Sequence, residues 1–424
     1  MGSERTFRVL HPTLSPLRFI SVEAGSGIVL LLAAAVALAW ANSPWSAGYA
    51  ALWHVDLLSA LARYLPEHDL HFAVNDGLMT VFFLLVGLEI RRELHDGTLS
   101  DPKVATLPIV AALGGVIAPA VIYVLLNRDP ATRHGWGIPT ATDIAFAVGV
   151  LSLLGRGIPP ALRMLLLTLA IIDDIVAILV IAFFYSSGIA WAGLAIVAGG
   201  VVLVLLMQWA GIGRALFYTV PGAVVWYGLL YSGVHPTLAG VMLGLLTPAT
   251  ARFGGRWRRD EPAPEELAPV TRVEARLHPY VAFGIMPLFA LANAGVSLAG
   301  LELSSASALA VSSGIVAGLV AGKPVGVLLA SFLAVRVRLC ALPPGLTWGH
   351  ALLLGLLAGI GFTMAIFIAN LAFSDARLLA VAKFAILLAS ALAATLGFIF
   401  GRLLPGIAHA SAIDRSVATT RSGG

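Results

Sequence analysis

The sequence predicts an all-α polytopic membrane protein of about 12 transmembrane helices, with inverted-topology repeats and two interrupted helices. Composition is the first reason. Of 424 residues, 59% are hydrophobic and 11% charged, where an ordinary soluble domain is about 45–50% apolar and about 25% charged. So few charges cannot coat a soluble protein of this size. The second reason is the recurrence of long stretches free of Asp, Glu, Lys and Arg, at 24–55, 104–127, 175–213, 215–251, 277–301 and 339–374. One span needs about 20 apolar residues, so each stretch holds one or two. The third reason is the sidedness of the basic residues, taken up below. A disulfide scaffold is excluded by a single cysteine, Cys340. Nucleic-acid binding is excluded by a net charge of only +4 with its basic residues thinly spread.

A cytoplasmic segment, 1–21, precedes the first span, 22–41. Arg5, Arg8 and Arg18 followed by Ala39-Trp40-Ala41 imitate a signal peptide. The apolar run is too long for one, so the span is read as retained. Residues 42–71 form a long external connection. Spans two and three follow at 72–92 and 104–126. Span four, 138–154, is short, with Pro139 in its first half and Thr140-Ala141-Thr142-Asp143 at its centre. Turn clusters separate span five (161–185) from six (190–209), and seven (214–231) from eight (235–248). In the polar loop 249–275, prolines at 262, 264 and 269 argue against a helix. Spans nine to twelve are read at 278–299, 308–335, 349–373 and 381–404. Span eleven contains Gly355, Gly359 and Gly361 followed by Thr363. The single transmembrane domain is thus 22–404, followed by a tail, 405–424.

With the N-terminus inside, 20 of the 26 Lys and Arg fall on the inner side and four on the outer. This bias matches the positive-inside rule and supports an N-in, C-in topology. Lys323 and Lys383 are the remaining two, within spans.

Ionisable groups at the bilayer centre cost about 2.5–3.5 kcal/mol on insertion scales, so each is a functional candidate. Asp173 and Asp174 sit mid-span in LAIIDDIVAI, and Asp143 and Lys323 lie within spans four and ten. Adjacent helical residues project about 100° apart, so both aspartates can border one cavity. Two carboxylates so close repel when both are ionised, and such a site holds either protons or a cation. Its oxygen-only chemistry suits a hard cation such as Na+ or Li+; the alternative is a structural pair bonded to backbone. Spans four and eleven both read as interrupted helices, which expose partial charges in mid-membrane. Asp143 would complement the positive half-helix ends and Lys323 the negative ones. Close helix packing is the alternative for Gly359 and Gly361.

The two breaks are the middles of matching three-span units, 104–185 and 308–404, which start on opposite sides of the membrane. Matching interrupted helices in inverted repeats point to a transporter site. Glu89 and Glu93 share a face of span two with Arg92, and Asp76 lies about 20 Å away along the same helix. They form either a cation-attracting funnel or a snorkelled interfacial cluster. His235 and His278 sit at span ends, as pH-responsive groups or as interfacial hydrogen-bonding ones.

Seven motifs carry a resemblance. They are FFLLVGLEIRREL (82–94), TATDIAFA (140–147), AIIDD (170–174), SGVHPTLAGV (232–241), PLFALANAGV (287–296), GKPVG (322–326) and GIGFTMAIFI (359–368). In this order, over nearly all of spans two to twelve, they resemble the NhaA-type sodium/proton antiporters, one of the families in which the inverted-repeat pattern is known.

The resemblance implies an electrogenic, pH-regulated Na+(Li+)/H+ antiporter of the bacterial inner membrane, without a cofactor and not an enzyme. Asp174 resembles the principal cation ligand and proton carrier. Asp173 resembles its partner, alternating between the ion and Lys323. Thr142 and Asp143 resemble residues of crossed, interrupted helices. Glu89, Arg92 and Glu93, with Glu274 and His278, resemble the cytoplasmic pH-sensing region, and His235 a further pH-related position. Homodimerisation through an external hairpin is implied, and residues 43–71 are its candidate.

Two departures stand out. The family's sensing stretch commonly reads Glu-His before the second His, and here it is Glu274-Ala275-Arg276-Leu277-His278. Arg91 stands where the family often has Lys. A sodium-coupled solute symporter on a related fold is the second reading. An intramembrane aspartyl protease needs its two aspartates on separate helices with a Gly-x-Gly-Asp signature, which this chain lacks.

Overall fold

The structure is a computed structural model describing residues 16–57, 69–155, 157–186, 188, 190–250 and 268–404, with side chains from residue 25 onward. Among the described residues the chain is helical, apart from one antiparallel bridge between Asp56 and Asp69. In order, the helices are α1 (Pro16–Ala41), α2 (Ser46–Trp53), α3 (Leu70–Asp96), α4 (Pro102–Leu126), α5 (Pro130–Thr140), α6 (Ile144–Leu153), α7 (Pro160–Phe184) and α8 (Trp191–Trp209). They continue with α9 (Ala215–Ser232), α10 (Leu238–Leu246), α11 (Pro269–Asn293), α12 (Ala306–Arg336), α13 (Trp348–Ala358), α14 (Phe362–Ala372) and α15 (Ala376–Leu403). Eight are long and apolar enough to cross a membrane, and the number reaches 11 if each of three bent pairs is one span. The short α10 occupies the place of span eight, consistent with 12.

Spans four and eleven are both broken. The pairs α5–α6 and α13–α14 each bend by 47° at a gap of at most four residues. Pro139 lies in the last, 3₁₀ turn of α5, where it removes an amide donor from the ladder.

Contacts divide the chain into two units. The first comprises 1–47, 101–177 and 293–424, and the second 48–100 and 178–292. Both broken pairs lie in the first unit. There, α4 packs against α12 so closely that a Cβ at Gly326 would stand 2.1 Å from the Gly114 carbonyl oxygen. In the second unit α3 and α10 meet as closely, at Gly87 and Gly244.

Helix starts follow from short polar side chains that accept first-turn amides. Asp101, Asp129, Asp143, Ser305 and Asp375 do so for α4, α5, α6, α12 and α15. At Asp101-Pro102 and Asp129-Pro130 the proline takes the first helical position, where its missing N–H is not needed.

The structure departs from the sequence expectations at several ends. Span nine starts at Pro269 rather than 278. Pro269 stops nothing, because it stands in the first turn of its helix. The other two loop prolines lie outside the described residues. Span eight is a nine-residue helix, starting only after the Gly233–Pro236 turn, in which Gly233 is left-handed. The connection 42–71 contains α2, and its hairpin character is limited to the Asp56–Asp69 bridge with residues 58–68 outside the description. Among the described residues three spans carry a π segment, at Ala73–Leu78, Val281–Ile285 and Gly318–Gly322.

Candidate functional site

The breaks of spans four and eleven meet in the first unit, and the site is built on their junction. The amide of Asp143 donates to the Ile360 carbonyl at 2.7 Å. Its Oδ1 accepts from the Phe146 amide at 3.0 Å, capping α6. Its Oδ2 accepts from the Thr363 amide at 3.1 Å and from the Thr363 hydroxyl, so it also meets the start of α14. One carboxylate thus faces two helix N-termini, where its negative charge offsets the partial positive charge of the unbonded amides. Gly359 serves both roles open to it. It lies at the break, and a Cβ there would stand 2.4 Å from the Leu319 carbonyl oxygen.

Thr142 is the hinge of the second half of the site. Its hydroxyl lies 2.8 Å from the Ala358 carbonyl, at the end of α13, and 2.6 Å from Asp173 Oδ2. The Lys323 ammonium donates to both Thr142 Oγ1 and Asp173 Oδ2, each at 2.5 Å. Lys323 therefore reaches the carbonyl end of the break by way of Thr142. The Thr142 hydroxyl has one proton and two acceptors, so it serves the carbonyl or the carboxylate in turn. The π segment Gly318–Gly322 ends at Lys323 and sets its register on α12. Asp173 Oδ1 accepts no hydrogen bond within the described residues.

Asp174 is adjacent, 2% exposed, and near enough to Lys323 for their charges to interact. Asp143, Asp173, Thr142, Thr363 and Lys323 are buried to the same degree. The first unit thus encloses three carboxylates and one ammonium at one junction. With all four ionised, the enclosed charge is two negative units; two protons can offset it fully and one monovalent cation can offset half of it.

The remaining candidates lie in the second unit, in two groups. Arg92 on α3 forms a buried ion pair with Glu274 on α11. Glu93 and His278 are close enough to act on Glu274 electrostatically. The Glu93 carboxylate also accepts from the Thr98 amide at 2.6 Å and from its hydroxyl at 2.5 Å, beyond the end of the helix. Glu89, half-buried, lies one turn earlier on α3. Asp76 belongs to the other group. It sits in the first π segment, 3.5 Å from His235 Nε2, while His235 Nδ1 contacts the Thr237 hydroxyl at 2.8 Å.

Three polar features have no place in the candidate set read from the sequence. Thr363 holds Asp143, and Ser390 on α15 accepts from the Phe362 amide at 3.0 Å. Each break contains a threonine beside its irregular backbone, which was the available signal for Thr363. Near the other end of α14, Asn293 Oδ1 accepts from Asn370 at 2.8 Å and from Lys383 at 3.3 Å.

Known proteins match over almost the whole chain. The sequence profile of the family described as Na+/H+ antiporter 1 matches residues 17–400. A Na(+)/H(+) antiporter NhaA of Acidovorax sp. (strain JS42) is 60% identical over 403 residues, covering 92% of this chain and 94% of its own. One of Janthinobacterium sp. (strain Marseille) is 53% identical, covering 94% of each chain. Among solved structures, the sodium proton antiporter of Methanocaldococcus jannaschii aligns over 89% of this chain and 92% of its own, at 15% identity and a TM-score of 0.46. The extent of the profile match and these sequence identities, over a polytopic chain with paired broken spans, establish that this protein belongs to the Na+/H+ antiporter 1 family, that of the NhaA antiporters.

Proposed function

We propose that this chain is an electrogenic, pH-regulated exchanger of Na+ or Li+ for H+ that works by alternating access, as a transporter and not an enzyme, without a cofactor. The observation that carries the reading is the enclosure of Asp143, Asp173 and Asp174 with the Lys323 ammonium. Asp143 is committed to two helix ends. That leaves Asp173 and Asp174 as the carboxylates able to exchange partners. In the state described, Asp173 is paired with Lys323. A sodium ion entering beside Asp174 would take Asp173 as a second ligand and release Lys323. Protons binding the same carboxylates would expel the ion. Competition for one site couples the two fluxes, and each bound form is carried to the opposite face. Thr142 offers the ion a hydroxyl oxygen, suited to a hard cation.

More protons move inward than sodium ions outward in each cycle, so the membrane potential contributes to export. The buried Arg92–Glu274 pair, with Glu93 and His278 beside it, supports a pH-sensing role for that cluster, joined by Glu89. His235 and Asp76 supply a second titratable pair. The basic-residue bias supports cytoplasmic termini in a bacterial inner membrane. The connection between α1 and α3 is assigned to a homodimer contact.

The test is Na+-driven collapse of a pH gradient in inside-out membrane vesicles, measured across pH. Asp174→Asn is expected to abolish it at every pH while the protein still inserts. Wild-type exchange in that variant would sink the site assignment, and Na+-dependent uptake of an organic solute would favour a symporter instead.

A further inference from the structure

The first turn of α14 has no acceptor of its own. Its N-cap is Gly361, which brings no side chain. The amides are met from other spans: Phe362 by Ser390, and Thr363 by Asp143. Thr363 returns a second bond, since its hydroxyl donates to the same Asp143 oxygen. Two donors to the Asp143 carboxylate, an amide and a hydroxyl, therefore come from Thr363, and its side chain is 0% exposed.

Asp143 follows Thr142 directly, and Thr142 is the residue whose hydroxyl touches Asp173 and Lys323. The backbone there is extended and not helical, although the Asp143 carbonyl accepts the first ladder bond of α6 from the Ala147 amide at 2.9 Å. It is held further by the bonds from Asp143 to Ile360, Phe146 and Thr363. Loosening the carboxylate loosens the neighbouring hydroxyl. We propose that Thr363 is a positioning residue of the ion site: acting through Asp143, its hydroxyl fixes where the Thr142 oxygen stands relative to Asp173. A donor to a buried carboxylate is among the stronger hydrogen bonds, and it is lost wholly when the hydroxyl goes. The inference rests on the reading of Asp173 and Asp174 as the ion site.

The experiment uses the full chain in proteoliposomes, with Na+-driven proton exchange as the readout. Thr363→Val, which keeps shape and removes the hydroxyl, is expected to raise the KM for Na+ about ten-fold, the scale of one hydrogen bond to a charged group. The kcat should stay near wild type, and Thr363→Ser should restore the KM. In an Asp143→Ala background, which removes the acceptor, adding Thr363→Val should change the KM no further, because both act through one contact. Should the valine variant fail to accumulate, Thr363→Ala takes its place in each comparison. A wild-type KM in the hydroxyl-free variant overturns the inference. So does an equal effect in both backgrounds, or a serine variant as impaired as valine. Asp174→Asn in the same assay separates the two readings. If it retains exchange, the ion-site assignment fails. If it is inactive while Thr363→Val is unchanged, this inference fails alone.

Discussion

At the scale of the residue, the site is an unequal balance of charge. Among the described residues, Lys323 is the one cation enclosed with these three carboxylates, and it is bonded to Asp173 and Thr142. Removing one partner of a buried ion pair costs about 3–5 kcal/mol, because the other is left uncompensated. Lys323→Ala is therefore expected to lower the thermal unfolding midpoint of the purified protein and to shift the pH profile of exchange. An unchanged midpoint together with an unchanged profile would count against the pairing. These charged residues were legible in the sequence because charge in a bilayer is expensive and rare. Thr363 was marked only by its place after the glycines of span eleven, and Ser390 not at all, since a hydroxyl within a span is cheap and common, and only the fold reveals that it faces a broken helix.

Helices carry a different kind of information. Their existence was plain from apolar runs, and both breaks from proline, glycine and threonine where aliphatic residues belong. Their ends were less so. Pro269 reads as a breaker until its position in the first turn is known. The π segments leave no mark in composition, because they arise from a slip of the hydrogen-bond ladder. One such slip immediately precedes Lys323. Packing between helices is equally silent in sequence, although it is testable. Gly326→Ala would place a methyl 2.1 Å from the Gly114 carbonyl oxygen. It is expected to cost about 1–3 kcal/mol by overpacking. Gly199→Ala, with nothing within 4 Å of the added atom, should be tolerated. Thermal unfolding of both variants decides, and equal midpoints would reject the close α4–α12 contact.

For the whole molecule, the sidedness of its basic residues predicts which surface faces the cytoplasm. The single cysteine makes that measurable without engineering. Cys340 lies between α12 and α13, half-buried, on the segment assigned to the inner face. A membrane-impermeant maleimide should label it in inside-out vesicles and leave it untouched in intact cells. Burial pushes its thiol above the ordinary range for cysteine, so the thiolate is scarcer at neutral pH. Labelling should be slower than for a free thiol and should accelerate as pH rises. Labelling from the outside alone would invert the topology.

The capping of α14 has a consequence for how the protein is made. Its first two amides depend on Asp143, 220 residues before Thr363, and on Ser390, 28 residues after Phe362. A chain emerges from the ribosome N-terminus first. When span eleven enters the bilayer, Asp143 is already there and Ser390 has yet to enter it. The junction is closed only when the final span arrives, so an unfinished chain holds an incomplete ion path while it is still attached to the ribosome.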